Sequence, residues 1–169
     1  LDEIVLTKTG LPINGEPHLE PWLNFLHRMK NATKTVRIGL VGKYVELPDA
    51  YKSINESLFQ AATYNDRKLD LQYIHSEKLN SGNVDAMLSS LDGVLIAPGF
   101  GQRGIEGKFI ALKYAREHDI PTFGVCLGMQ CMVIEYARDV LGYTDANSTE
   151  MDVTTKHNVI DLMEEQKSI

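Results

Sequence analysis

The stretch Pro121-Thr122-Phe123-Gly124-Val125-Cys126-Leu127-Gly128-Met129-Gln130 decides how this chain folds. Pro121–Val125 has the length and apolar character of a strand, and a helix follows from about Leu127 to Leu141. A small-x-nucleophile-x-small pattern joining a strand to a helix is a nucleophile elbow. The tight turn forces Cys126 into strained backbone geometry, and the flanking glycines clear space that side chains would fill. The thiol then lies at a helix N-terminus, where unpaired N–H groups and the positive dipole end favour thiolate over thiol. The N–H of Leu127 points the same way and can donate to an oxyanion. Free cysteines are often small buried hydrophobes. Here both glycines, the strand before and the helix after weigh for a nucleophile. Cys131, followed by Met132-Val133-Ile134, reads as packing.

Upstream of the elbow, strands and helices alternate. Val36–Val41 reads as a buried strand, and Asp49 as the cap of a helix running to about Tyr64 with Ile54, Leu58 and Ala61/Ala62 on one face. Leu69–His75 is strand-like, Val84–Leu91 a short helix, Val94–Ala97 a third strand and Ile105–Glu117 a helix. Repeated β-then-α order predicts an α/β fold: a doubly wound, mostly parallel sheet with helices on both faces. Such sheets bind ligands at the carboxyl ends of their strands. The loops after Val41, Ala97 and Val125 are therefore where chemistry belongs. Residues 1–35 read differently. Asp2–Thr9 is strand-like, Gly10–Pro17 is loop punctuation, and Leu19–Met29 has helical apolar spacing. This segment is expected to be a tether with one amphipathic helix whose stripe needs a partner surface, and residues 36–169 a single domain.

The composition agrees with a globular protein. The 169 residues are 43% hydrophobic and 24% charged, values at which a sizeable core can form. No apolar run approaches the length of a membrane span. Seventeen Lys and Arg against 23 Asp and Glu leave a net charge of −6, which argues against a nucleic-acid face. Two cysteines are too few for a disulfide framework or a zinc site, so a reducing compartment, the cytoplasm, is expected.

Pro98-Gly99-Phe100-Gly101-Gln102-Arg103-Gly104 follows the third strand. A glycine-rich loop there can cradle phosphate or supply a second oxyanion N–H, and its pairing with an elbow on the next strand strengthens the second reading. Gly39-Leu40-Val41-Gly42-Lys43-Tyr44 lacks the spacing and the Ser/Thr of a phosphate loop, and reads as a structural turn. A thiolate hydrolase also needs a base. The five histidines are His18, His27, His75, His118 and His157. None offers a convincing Cys–His arrangement, so the base is expected to be missing from this chain.

With these motifs in hand, Val36–Glu150 resembles the glutaminase domain of the CTP synthase family, which are class I (triad) glutamine amidotransferases. The resemblance rests on Gly39–Tyr44 with Leu47-Pro48-Asp49-Ala50-Tyr51-Lys52-Ser53, on Gly99–Gly107, on Gly124–Gln130 and on Asn147-Ser148-Thr149-Glu150. It implies that Cys126 attacks the side-chain amide of L-glutamine, giving a thioester and ammonia. The backbone N–H groups of Gly99 and Leu127 would form the oxyanion hole, and Gln130 and Glu150 would hold the substrate, with Glu150 suited to the α-ammonium. Gln130 lies four residues past Cys126 and can share its helix face; Glu150 by residue type alone would be a solvated loop carboxylate. Arg103, Gly104 and Glu106 fall in what in this family is a mobile lid linked to GTP activation.

The resemblance further implies a synthetase domain of the same chain, before Leu1, with ATP, Mg2+ and UTP sites, and no cofactor in the present segment. It implies a homo-oligomer, a tetramer in the family, with neither a nucleic-acid nor a membrane partner. Residues 1–35 would be the end of the synthetase domain and the interdomain linker helix. The family's triad His and Glu would lie beyond Ile169, so the fold is expected to be incomplete at the C-terminus and the segment inactive by itself. Ala97-Pro98-Gly99 departs from the Pro-Gly-Gly common in the family and is expected to alter how freely the oxyanion loop flips. Two alternatives stand beside this reading: a stand-alone cysteine hydrolase of the related elbow-bearing type, and a non-catalytic interaction module.

Overall fold

The computed structural model describes every residue except Asn14, Glu16, Pro17, Pro48, Lys167, Ser168 and Ile169. Part of the loop expected at Gly10–Pro17, and Pro48 of the Leu47–Ser53 segment, therefore lie outside the described residues.

Four parallel strands make the main sheet: β1 (Lys34–Gly42), β2 (Arg67–His75), β3 (Gly93–Ile96) and β4 (Thr122–Gly124), in the order β2-β1-β3-β4. The chain moves outward from β1 to β2, then crosses back over β1 to lay down β3. This reversal opens a crevice at the carboxyl ends of β1 and β3, the place where such sheets accept ligands. The expected doubly wound, mostly parallel architecture is present.

Helices cover both faces. On one, α3 (Lys52–Tyr64) sets Ile54 and Leu58 against Leu40, Leu95 and Ala97. On the other, α4 (Val84–Leu88), α5 (Ile105–Glu117) and α6 (Leu127–Asp139) enclose the larger core, which includes Val41, Ile74, Ile96, Leu112 and Cys131. Each large aliphatic side chain withdrawn from water there contributes about 1.5–3 kcal/mol. Arg116 of α5 clasps the buried Glu135 of α6 through Nε and Nη2, at 3.1 and 2.7 Å from Oε1. That charge-assisted pair fixes α6, and with it the elbow, against α5. A second joint lies at the start of α5. A Cβ added to Gly107 would sit 1.8 Å from the Ser76 carbonyl oxygen, so only glycine lets α5 rest on the 3-10 turn Ser76–Lys78 after β2. A small parallel pair, β5 (Asn147–Ser148) and β6 (Asn158–Ile160), lies beside α6.

Several boundaries differ from the sequence expectation. Asp2–Thr9 is not a strand but a helix, α1, with Asp2 and Glu3 in its first turn, Lys8 in its last and Gly10 at φ 70 as its left-handed stop. Its β-branched pair Ile4-Val5 suggested a strand, but the end signals belong to a helix. The expected helix at Leu19–Met29 is α2, Glu20–Asn31. Its stripe finds a partner in α3, where Phe25 meets Phe59 edge-on at 6.4 Å. The β1 ladder begins at Lys34, just inside the segment set aside as residues 1–35. Asp49 does not cap α3: Tyr51 occupies that position, and Asp49 lies in the turn before it. The helices expected to reach Leu91 and Leu141 end at Leu88 and Asp139.

Among the described residues no helix is long and apolar enough to cross a membrane, and no group of three or more His, Cys, Asp or Glu is placed to hold a metal ion.

Candidate active site

Cys126 occupies the N-cap of α6 with φ 54 and ψ −112, backbone space that side chains avoid. Packing on both sides imposes this bend. A Cβ on Gly128 would approach the Ile96 carbonyl oxygen to 2.1 Å, and one on Gly124 would lie 2.5 Å from the Met129 nitrogen. The elbow thus exists because two glycines let α6 start directly on top of β3 and β4. Val125 N–H donates to Ile96 O at 3.1 Å and locks the joint. The bend leaves the Cys126 side chain exposed, whereas Cys131 is completely buried.

The two thiols therefore differ chemically. Burial pushes the Cys131 thiol up to about 11, so almost none of it is thiolate at neutral pH. We expect brief treatment with iodoacetamide near pH 7.5 to alkylate Cys126 and spare Cys131, read by peptide mass spectrometry. Equal labelling of both would contradict this assignment.

The loop after β3 meets the elbow. A Cβ placed on Gly99 would lie 3.7 Å from Leu127 Cδ2, which brings residue 99 alongside the first turn of α6. Gln130, one turn past Cys126, lines a cavity of about 600 Å³ together with Ser148, Glu150, Val153, Ile160 and Leu162. The Gln130 side-chain oxygen is itself buried without a hydrogen-bond partner. Glu150 is exposed on the cavity wall, and its backbone N–H donates to Ser148 Oγ at 3.2 Å. Gly99 and Leu127 thus lie together beside Cys126, and Gln130, on the same helix as Leu127, shares its cavity with Glu150.

The other three expected residues face elsewhere. Arg103 pairs with Glu77, Nε to Oε1 at 2.8 Å, and its guanidinium stands 5.9 Å from the centre of the Tyr44 ring. Gly104 adopts φ 76 at the N-cap of α5, pressed against Ser76. Glu106 lines a separate cavity of about 400 Å³ with Gln102, Phe109, Arg138 and Met151. The histidines stay apart from the Gln130–Glu150 cavity: His75 accepts from Glu77 N–H, His118 stacks on Tyr114, and His157 pairs with Asp145 at 2.6 Å.

Two lysines were missed by the sequence reading. Lys108 is 1% exposed, and its Nζ donates to the Ala97 carbonyl at 2.6 Å. Burial holds this ammonium below the ordinary lysine value. Lys43 is 8% exposed, and its Nζ donates to the Phe100 carbonyl. Gly39–Gly42, read from the sequence as part of a turn, is the end of β1, and the bend at Lys43 just after it delivers a charge to the loop. For Lys108 a signal existed: it falls on the apolar stripe Ile105, Lys108, Ala111, Leu112, Ala115, where a solvated lysine has no place.

An exposed cysteine on a strand–helix elbow, beside the loop that follows β3, is the arrangement found in hydrolases with a thiol nucleophile. Comparison with known proteins narrows that class. The Glutamine amidotransferase class-I family profile matches residues 46–168, and the chain belongs to that family. Over its whole length the chain is 68% identical to a CTP synthase from Bacteroides fragilis and 60% identical to one from Porphyromonas gingivalis, covering 32% and 31% of those proteins. It thus spans about a third of the length of these relatives. A solved structure of the Trypanosoma brucei CTP synthase glutaminase domain with bound acivicin matches with a TM-score of 0.71 at 41% identity, over 77% of this chain and 51% of that one.

Proposed function

We propose that this chain forms the glutamine-hydrolysing part of a CTP synthase. The observation that carries the reading is the exposed Cys126 at the strained N-cap of α6, with Gln130 one helical turn further on lining a cavity shared with Glu150. A carboxylate on the cavity wall suits the α-ammonium of an amino acid, and an exposed thiol one turn back along the helix that carries Gln130 suits attack on its side-chain amide.

The Cys126 sulfur adds to the amide carbon, and the carbonyl oxygen becomes an oxyanion facing the N–H groups of Gly99 and Leu127. The C–N bond then breaks, the proton given up by the Cys126 thiol goes to the leaving nitrogen, and ammonia departs from a Cys126 thioester. Water hydrolyses the thioester to glutamate and restores the thiol. In the whole protein the ammonia would aminate UTP to CTP at the expense of ATP with Mg2+, in a synthetase domain of the same chain and in the cytoplasm. Residues 1–35 would link the two domains. Arg103, Gly104 and Glu106 would act as the lid through which GTP activates, and the assembly would be a homo-oligomer. An internal route for ammonia follows from chemistry, since bulk water would protonate it and remove its nucleophilicity.

The test is to mix the intact protein with L-glutamine, quench in acid during turnover and digest. A glutamyl thioester on the Cys126 peptide is expected. Ammonia release with no adduct at Cys126 would refute the mechanism.

A further inference from the structure

We propose that Lys43 and Lys108 are positioning residues that clamp both ends of the Ala97–Phe100 loop, so that the Gly99 N–H is held ready for the oxyanion. This deepens the glutaminase reading and rests on it.

The clamp is visible in the hydrogen bonds. Lys108 Nζ donates to the Ala97 carbonyl, and Lys43 Nζ donates to the Phe100 carbonyl. A Cβ on Gly99 would lie 3.5 Å from Lys43 Cε and 4.0 Å from Lys108 Nζ, so residue 99 sits between the two ammonium stems. The Ala97 carbonyl belongs to the peptide before Pro98, which carries no N–H. The Phe100 carbonyl belongs to the peptide before Gly101. With both outer peptides pinned, the two that flank Gly99 are held between fixed ends. One of these bears the N–H that must face the substrate.

Neither lysine is in an ion pair with a carboxylate among the described residues. The Lys108 ammonium, buried against a carbonyl oxygen, is costly to keep, since burial favours its neutral form, and Lys43 Nζ also stands 5.6 Å from the centre of the Tyr44 ring. A methionine of similar length would fill either space at lower cost to stability. The charge is thus explained by what it holds. Lys108 reaches the loop from α5 and Lys43 from just past the end of β1, so a helix and a strand end converge on one loop.

The experiment uses the intact protein with Lys108→Met, Lys43→Met and the double variant. Expected is a 10- to 100-fold loss in kcat for glutamine hydrolysis, KM within twofold, and an unchanged melting temperature or a higher one for Lys108→Met. Iodoacetamide should alkylate Cys126 of Lys43→Met at the parent rate, because that reaction needs no oxyanion hole, and of Lys108→Met only slightly more slowly, because the Lys108 ammonium also interacts with the Cys126 thiolate. An unchanged kcat would overturn the clamp. So would a kcat loss matched by an equal fall in Cys126 alkylation, which would place the effect on the thiol. Lys108→Arg, which keeps a donor but not the fit, should recover part of the kcat in the Lys108 series; no recovery above Lys108→Met would also count against it. The glutaminase reading itself fails separately, if the parent protein releases no ammonia from glutamine.

Discussion

Cys126→Gly in the intact protein is expected to lower glutamine-dependent ammonia release by about four orders of magnitude or more, as for loss of other enzymic nucleophiles, while making the fold more stable. The two effects have one origin. Cys126 is held at φ 54 and ψ −112, and such strain costs about 1–3 kcal/mol for a residue with a side chain. Glycine accepts that geometry freely but gives back about 0.5–1 kcal/mol in chain entropy. The net gain is about 1 kcal/mol, or about 2–4 °C in Tm for a domain of this size. Cys126→Ala should lose the same activity with no gain in Tm, because alanine keeps the strain. Calorimetry and an ammonia assay on both variants check this. A Cys126→Gly protein that melts below the Cys126→Ala protein would show that the bend stores no strain.

Gly128→Ala should have the largest structural effect. The new methyl carbon would lie 2.1 Å from the Ile96 carbonyl oxygen and 2.8 Å from its carbon, both backbone atoms of a central strand. No flexible side chain is available to yield, so α6 must lift away from β3. Forced overpacking of this kind costs about 3 kcal/mol or more, a fall of about 6–12 °C in Tm. Because Cys126 caps the displaced helix, its sulfur moves with it. A misplacement of about 1 Å is enough to cost about 100-fold in rate. Thermal melts and glutaminase assays on the same sample would show both losses. A variant with parental stability would mean that the helix–strand contact is looser than described.

Much of this was legible in the sequence because the physics was local. The Gly124–Gly128 elbow, the alternation of strands and helices and the seat of Gln130 on the face beside Cys126 all follow from spacing within a few residues. The helix at Ile105–Glu117 emerges at the expected residues. Errors arose where two local signals competed. In Asp2–Thr9 the β-branched Ile4-Val5 outweighed the acidic start and the Gly10 stop, and no buried residue was there to arbitrate. At Asp49 a good capping residue stood near the helix, but the hydroxyl of Tyr51 packs against Gly42 and sets the start of α3 instead. The lysine clamp was illegible for another reason. Lys43 and Lys108 are far apart in sequence and meet only because β1 and α5 converge on the same loop.

The seat of α5 on Ser76 has a mechanical consequence for the segment just before it. With Gly107 in backbone contact with that turn, and Gly104 at φ 76 immediately upstream, the root of the helix is bolted down. If residues 100–103 swing as the proposed lid, they would pivot about that fixed post, as a drawbridge does, with the tip and not the base travelling farthest.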